Sequence, residues 1–182
     1  HLNVRRQRQM CIRDSRGVVY SNYRSGGTNR IIAYHSWDDF EDADRNTNAP
    51  NIIMTGSLDG NVSAIKVSPF TTDSSTIFVG TESGSVFKVT NADTADANDN
   101  STANWSNITG SQFLGSVSDI EFGKDENHIF VTFHNYGVEN IFYSEDGGQS
   151  WTEKEGNLPD IPVRCILQLS LIHISEPTRH SD

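Results

Sequence analysis

The sequence predicts an all-β chain made of repeated four-stranded antiparallel units. Three observations carry that expectation. First, a strand-like phrase recurs: Val62-Ser63-Ala64-Ile65-Lys66-Val67, then Val117-Ser118-Asp119-Ile120-Glu121-Phe122, then Val163-Arg164-Cys165-Ile166-Leu167. The copies begin at positions 62, 117 and 163, offsets of 55 and 46 residues, close to the length of one blade of a β-propeller. Second, short runs rich in β-branched and aromatic residues alternate with Gly, Asn, Asp and Ser clusters between the copies. Third, no window sustains apolar residues at i, i+3 and i+4, so no helix is expected. The expected architecture is an incomplete β-propeller. It has two full antiparallel blades, 62–116 and 117–162, a partial blade over about 16–61, and the start of another at 163–168.

Taken in order, Val18-Val19-Tyr20 and Arg30-Ile31-Ile32-Ala33-Tyr34 read as strands joined across Ser25-Gly26-Gly27. A polar loop, 38–51, leads to Ile52-Ile53-Met54 as the outer strand. In the next repeat Ser63, Ile65 and Val67 alternate with Ala64, Lys66 and Ser68, the period of a strand with one buried face. Thr76 to Thr81 and Ser85 to Thr90 follow as strands around the turn Glu82-Ser83-Gly84. The loop from Asn91 to Asn104 is rich in Asp, Asn and Ala and absorbs the longer first offset; Trp105 to Ile108 closes the unit. In the following repeat Ser118, Ile120 and Phe122 alternate against Asp119 and Glu121. His128 to Phe133, the turn Asn135-Tyr136-Gly137, and Val138 to Tyr143 come next. Residues 53–61, 108–116 and 156–162 are related lead-ins, each ending just before a copy of the recurring phrase.

One local motif stands out. Ser144-Glu145-Asp146-Gly147-Gly148-Gln149-Ser150-Trp151 reads S-x-D-x-G-x-S-W. Glycines free to adopt positive φ mark a turn, and the Ser144 hydroxyl and Asp146 carboxylate suit hydrogen bonds inside it. The pattern resembles the Asp-box of sialidase-type (BNR) repeats. That resemblance implies a turn between the third and fourth strands of a blade, stapled by Ser144, Asp146 and Gly148, away from any active site, with Trp151 packed between blades. Trp105 stands in the place of Trp151 one repeat earlier, in a box degraded by an insertion. The run from Gly60 to Gln168 resembles sortilin-like propellers of secreted bacterial proteins that end in a type IX secretion sorting domain. Val62 to Pro69, Phe133-His134-Asn135-Tyr136-Gly137 and Gly156-Asn157-Leu158-Pro159 carry the likeness. It implies a secreted or cell-surface module that binds or scaffolds.

The two ends have a different character. Met10 to Asp14 can be encoded as ATG TGT ATA AGA GAC, and Leu169 to Ile174 as CTG TCT CTT ATA CAC ATC. The second string contains the reverse complement of GATGTGTATAAGAGACAG, which holds the first. Residues 1–15 and 169–182 therefore resemble translated transposon-type sequencing adapters and are set apart from fold reasoning. Residues 16–168 are then expected to be a piece of a longer gene product.

Charge excludes some functions. The chain has 14 Lys+Arg against 24 Asp+Glu, a net charge of −10. The end segments hold five of the basic and three of the acidic residues, so 16–168 carries 9 against 21, or −12. Such a surface disfavours nucleic acid and anionic membranes. No apolar stretch is long enough to span a bilayer. Cys11 falls in an end segment, which leaves Cys165 without an intrachain partner; its apolar neighbours predict a buried, inert thiol.

The first functional expectation is a non-catalytic binding or scaffold module for a carbohydrate or protein ligand, with no cofactor. The alternative is part of a propeller-type glycoside hydrolase, of sialidase or xyloglucanase type. A hydrolase needs two carboxylates about 5–9.5 Å apart. Asp59 and Asp160 each lie three residues before a copy of the recurring phrase, where the middle copy has Leu114. They are the candidate catalytic pair, set against a simple turn-forming role. Sialidases also need an arginine cluster, and Arg16, Arg24, Arg30, Arg45 and Arg164 show no such pattern. Asp93, Asp96 and Asp99 are candidate Ca²⁺ ligands but lack the glycine and closing glutamate of a known loop. His128 and His134 flank one strand without further metal ligands.

Overall fold

A computed structural model describes residues 12–13, 18–34, 51–53, 58–94 and 103–168. Apart from Ile12–Arg13, the adapter-like ends lie outside the described residues, as do most of the polar loop 38–51 and the loop residues 95–102. The described chain is all-β and antiparallel, without an α-helix and without closure into a barrel. It contains one 3-10 turn, Ala92–Thr94, after the seventh strand.

Three four-stranded sheets follow one another along the chain, each with its strands in chain order. The first holds β1 (Ile12–Arg13), β2 (Val19–Ser25), β3 (Thr28–Tyr34) and β4 (Asn51–Ile53). The second holds β5 (Val62–Val67), β6 (Ile77–Thr81), β7 (Val86–Thr90) and β8 (Asn104–Asn107). The third holds β9 (Val117–Phe122), β10 (Ile129–Phe133), β11 (Ile141–Ser144) and β12 (Thr152–Glu153). The β-branched runs around Ile31, Ile77 and Ile129 form second and third strands because their pleated side chains can bury on two faces.

Burial explains the serial order. All five residues of β6 are buried. Their alternation sends Ile77 and Val79 into a core shared with Tyr20, Ile31 and Ala33 of the first sheet. Phe78 points the other way, into a core with Ile120, Phe122, Ile129 and Val131 of the third. The Phe78 and Phe122 rings meet edge to face at 5.1 Å. The second sheet is thus sandwiched, and β9 packs on β5 and β6.

That contact corrects the simple alternation expected of β5. Val62 pairs with Thr81 and Ala64 with Gly80, so Ser63 is an extra residue in a bulge. The bulge places Val62 and Ile65 in the same core despite their odd spacing, while Ala64 joins the other core. The strand therefore has two buried faces rather than one. Ser118 repeats the bulge in β9, where Val117 pairs with Phe133 and Asp119 with Thr132.

Polar pairs seal the same interface. Lys66 Nζ lies 2.7 Å from Glu121 Oε2, and Lys88 Nζ 2.6 Å from Glu126 Oε1. Ser68 Oγ and Thr71 Oγ1 donate to Glu126 Oε2 at 2.6 and 2.5 Å. Burial opposes ionisation of Glu126, but Lys88, Ser68 and Thr71 outweigh it and lower its pKa.

The third copy of the recurring phrase forms no strand. It lies along β9 and β10 instead: Val163 N–H donates to Phe133 O at 3.1 Å, and Ser118 Oγ donates to Val163 O at 2.6 Å. Cys165 is exposed, against the buried thiol expected from its neighbours. Val163 and Ile166 are the half-buried residues of this stretch, and Arg164, Cys165 and Leu167 face outward.

Gly80 is a tight point of the packing between the second and third sheets. A Cβ there would sit 2.8 Å from Val117 Cβ. Gly80→Ala is expected to destabilise the chain by roughly 1–3 kcal/mol through overpacking. Adding Val117→Ala should recover part of that loss, so a double-mutant cycle in denaturant reads a favourable coupling between the two positions; strict additivity would contradict this contact.

Candidate functional site

The turn Ser144-Glu145-Asp146-Gly147-Gly148-Gln149-Ser150-Trp151 joins β11 to β12. Its bonds are almost all local. Ser144 Oγ donates to Asp146 Oδ1 at 2.8 Å and accepts from Gly148 N–H at 2.8 Å. Ser150 donates twice to the same carboxylate, from N–H to Oδ1 at 2.9 Å and from Oγ to Oδ2 at 2.6 Å. Gly148 has φ +93°, and a Cβ there would lie 2.7 Å from Ile108 Cβ, so both conformation and space require glycine. Trp151 Nε1 donates to Ile108 O at 2.8 Å, which ties the turn to the segment leaving the second sheet. The Phe113 ring fills the corner, 5.0 Å from that of Trp151.

Asp146 is a staple. Its hydrogen bonds from Ser150, then Ser144, lower its pKa from the usual carboxylate value to about 2. A carboxylate with both oxygens so engaged and so acidic is a poor general acid near neutral pH.

Trp105 and Trp151 occupy the same register. Trp105 pairs with Val89 in β7 and β8. In the third sheet the Tyr143–Thr152 pair places Trp151 opposite Ser144. Val89 stands where Ser144 would be, so the second sheet keeps the tryptophan and lacks the serine staple.

The two candidate catalytic aspartates brace different turns. Asp59 Oδ1 accepts from Thr81 Oγ1 at 3.2 Å, Asp59 Oδ2 accepts from Ser85 Oγ, and Ser83 Oγ donates to Asp59 O at 3.1 Å. It braces the turn between β6 and β7. Asp160 Oδ1 accepts from Gly137 N–H at 2.7 Å and braces the turn between β10 and β11. The two share no bonding partner among these contacts.

The candidate metal ligands are not assembled. Asp93 Oδ1 accepts from Ser75 N–H at 2.8 Å, while Asp96 and Asp99 lie outside the described residues. Among the described residues no group of three or more His, Cys, Asp or Glu could hold a metal ion. His128 Nδ1 sits 2.6 Å from Asp125 Oδ1, which, together with the Asn127 N–H, holds the Asp125 pKa down. Among the described residues no helix is long and apolar enough to cross a membrane.

Two features escaped the sequence reading. Asp119 is half-buried, and that burial raises its pKa although Ile166 and Ile120 N–H groups donate to it. Tyr136 and Leu114 are strongly exposed, 72% and 61%, at the end of the third sheet. The signal for Leu114 was present: the position holds aspartate in the two neighbouring lead-ins.

No protein-family model matches the chain, and no curated protein matches it.

The folded Asp146 pKa lies below the unfolded value of about 3.9. Its stabilising effect is therefore complete above about pH 4 and disappears as pH falls through about 2. Asp146→Asn should melt several degrees below the native chain at pH 7, and the gap should close towards pH 2. A gap that stays constant over that range would contradict the staple. Trp151→Phe should cost about 1 kcal/mol by removing the bond to Ile108 O while keeping a ring, read as a shifted urea midpoint.

Proposed function

We propose that the chain is part of a β-propeller that serves as a non-catalytic binding or scaffold module, secreted or displayed at the cell surface. What supports the propeller is the relation between sheets. Each is a four-stranded antiparallel meander in chain order, and the first strand of one packs on the face of the one before. Val163, at the head of the third copy of the phrase, takes hydrogen bonds on the third sheet as if continuing the series. The likeness to Asp-box and sortilin-like repeats of bacterial proteins with a type IX sorting domain supports an extracellular setting.

The observation that carries binding over catalysis is the use of the carboxylates. Asp59, Asp146 and Asp160 each spend at least one oxygen on bracing a turn. An acid–base pair would instead face a shared, open space. Asp119 keeps the glycoside hydrolase alternative in view, because a carboxylate with a raised pKa suits a general acid.

Two measurements test the proposal. Small-angle scattering of the complete protein is expected to fit a closed ring of sheets; an open, elongated stack would contradict the propeller. The complete propeller should show no turnover of aryl-glycosides. Hydrolysis abolished by Asp119→Asn, or by Asp59→Ala with Asp160→Ala, would establish the hydrolase instead.

A further inference from the structure

We infer that Leu114, Tyr136 and Ile161, at one end of the third sheet, form a docking surface for a basic polypeptide segment with apolar anchors. This rests on reading the chain as a binding module. The three side chains are 61%, 72% and 47% exposed. They come from separate segments that are tied together directly beneath them. Ser116 N–H donates to Asn135 Oδ1 at 2.7 Å, and Gly115 lies against the same amide. Gly137 N–H donates to Asp160 at 2.7 Å, and Asn140 Nδ2 to Ile161 O at 3.2 Å.

The fold does not require apolar residues there. The second sheet has a sheet on each side and offers the internal comparison. Asp59 stands in its lead-in where Leu114 stands in the next, and Ser83 precedes the turn glycine Gly84 as Tyr136 precedes Gly137. Both are exposed, and both are polar. For Leu114 and Tyr136, exposure therefore follows from position at the sheet end, and a neighbouring sheet does not remove it. Of these two sheets, only the third carries apolar residues at these positions. Its turn is also longer, spanning 133–140 between paired strand residues against 81–85, and this extension presents Tyr136.

Charge selects the partner. Glu139, Glu153 and Asp160 are exposed around this turn, and Glu155 lies beneath, accepting from Asn140 N–H at 2.6 Å. Partial desolvation, then the neighbouring Glu153 and Glu155 carboxylates, raises the Glu139 pKa. Of the nearby basic groups, Lys154 lies over the Tyr143 ring at 5.9 Å and Arg164 sits beyond Val163. An exposed tyrosine among aliphatic side chains is a rigid anchor site. An acidic rim favours lysine- or arginine-bearing partners and repels acidic ones. A bare cation would make no use of Leu114 or Tyr136, and a neutral ligand would leave the carboxylates crowded.

The test is fluorescence anisotropy on the full chain with a short labelled peptide of lysines and leucines, and a control peptide with serine for every leucine. The lysine–leucine peptide should bind more tightly than the control, and more weakly as salt rises. Tyr136→Ser and Leu114→Ser should each weaken it about tenfold, with unchanged melting, since both side chains are exposed. Glu139→Gln should weaken it further than Glu145→Gln, which lies at the Asp-box end. Equal binding of the two peptides, or equal effects of the two glutamate substitutions, would overturn the inference. So would absence of peptide binding together with capture of a neutral xyloglucan oligosaccharide that Tyr136→Ser abolishes. Ring closure is read separately by scattering, so an open stack that still binds the peptide loses the propeller and keeps the surface.

Discussion

The structure depends on one steric contact: Val117 of β9 lying against the bare backbone of Gly80 in β6. Only a residue without a side chain lets the first strand of the third sheet approach this closely. Once it does, Phe78 meets Phe122, and Lys66 and Lys88 come within reach of Glu121 and Glu126. The apolar part supplies most of the stabilisation, because it removes whole aromatic and branched side chains from water. The ion pairs, whose side chains keep some solvent exposure, add less and serve chiefly to fix register.

A consequence is that no sheet is a self-sufficient unit. β6 contributes to two cores at once through its alternation, so the second sheet is stable only with company on both faces. The bulges at Ser63 and Ser118 adapt the first strands to this arrangement by shifting the side-chain phase within a few residues. The turn from Ser144 to Trp151 plays a complementary part. Its own bonds are local, but Trp151 and Gly148 press it onto Ile108, which couples the outer edge of the third sheet to the exit from the second.

Legibility in the sequence followed the range of the interactions. The strand runs around Ile31, Ile77 and Ile129 were readable because period and composition are local properties. So was the turn from Ser144 to Trp151, whose serine and aspartate find their partners within four residues. The bulges were not readable: Ser63, Ile65 and Val67 alternate well on paper, and only the register shift at Ser63 against β6 puts Val62 and Ile65 in one core. β11 begins at Ile141 rather than Val138, because Asn140 is drawn off to Glu155, Val138 O and Ile161 O. Cys165 reads as buried from its neighbours, yet its exposure depends on how the segment lies over the third sheet. The roles of Asp59 and Asp160 depend on partners more than 20 residues away, beyond what spacing alone conveys.

Serial dependence of the sheets is the central physical claim, and native-state hydrogen exchange reads it most directly. If the second and third sheets share one core, the amides of Phe78 and Val79 in β6 and of Ile120 in β9 should open with the same free energy and the same denaturant dependence. If the Ile120 amide exchanges through a much smaller opening while β6 stays protected, the third sheet is only loosely docked and the two sheets do not share one cooperative core.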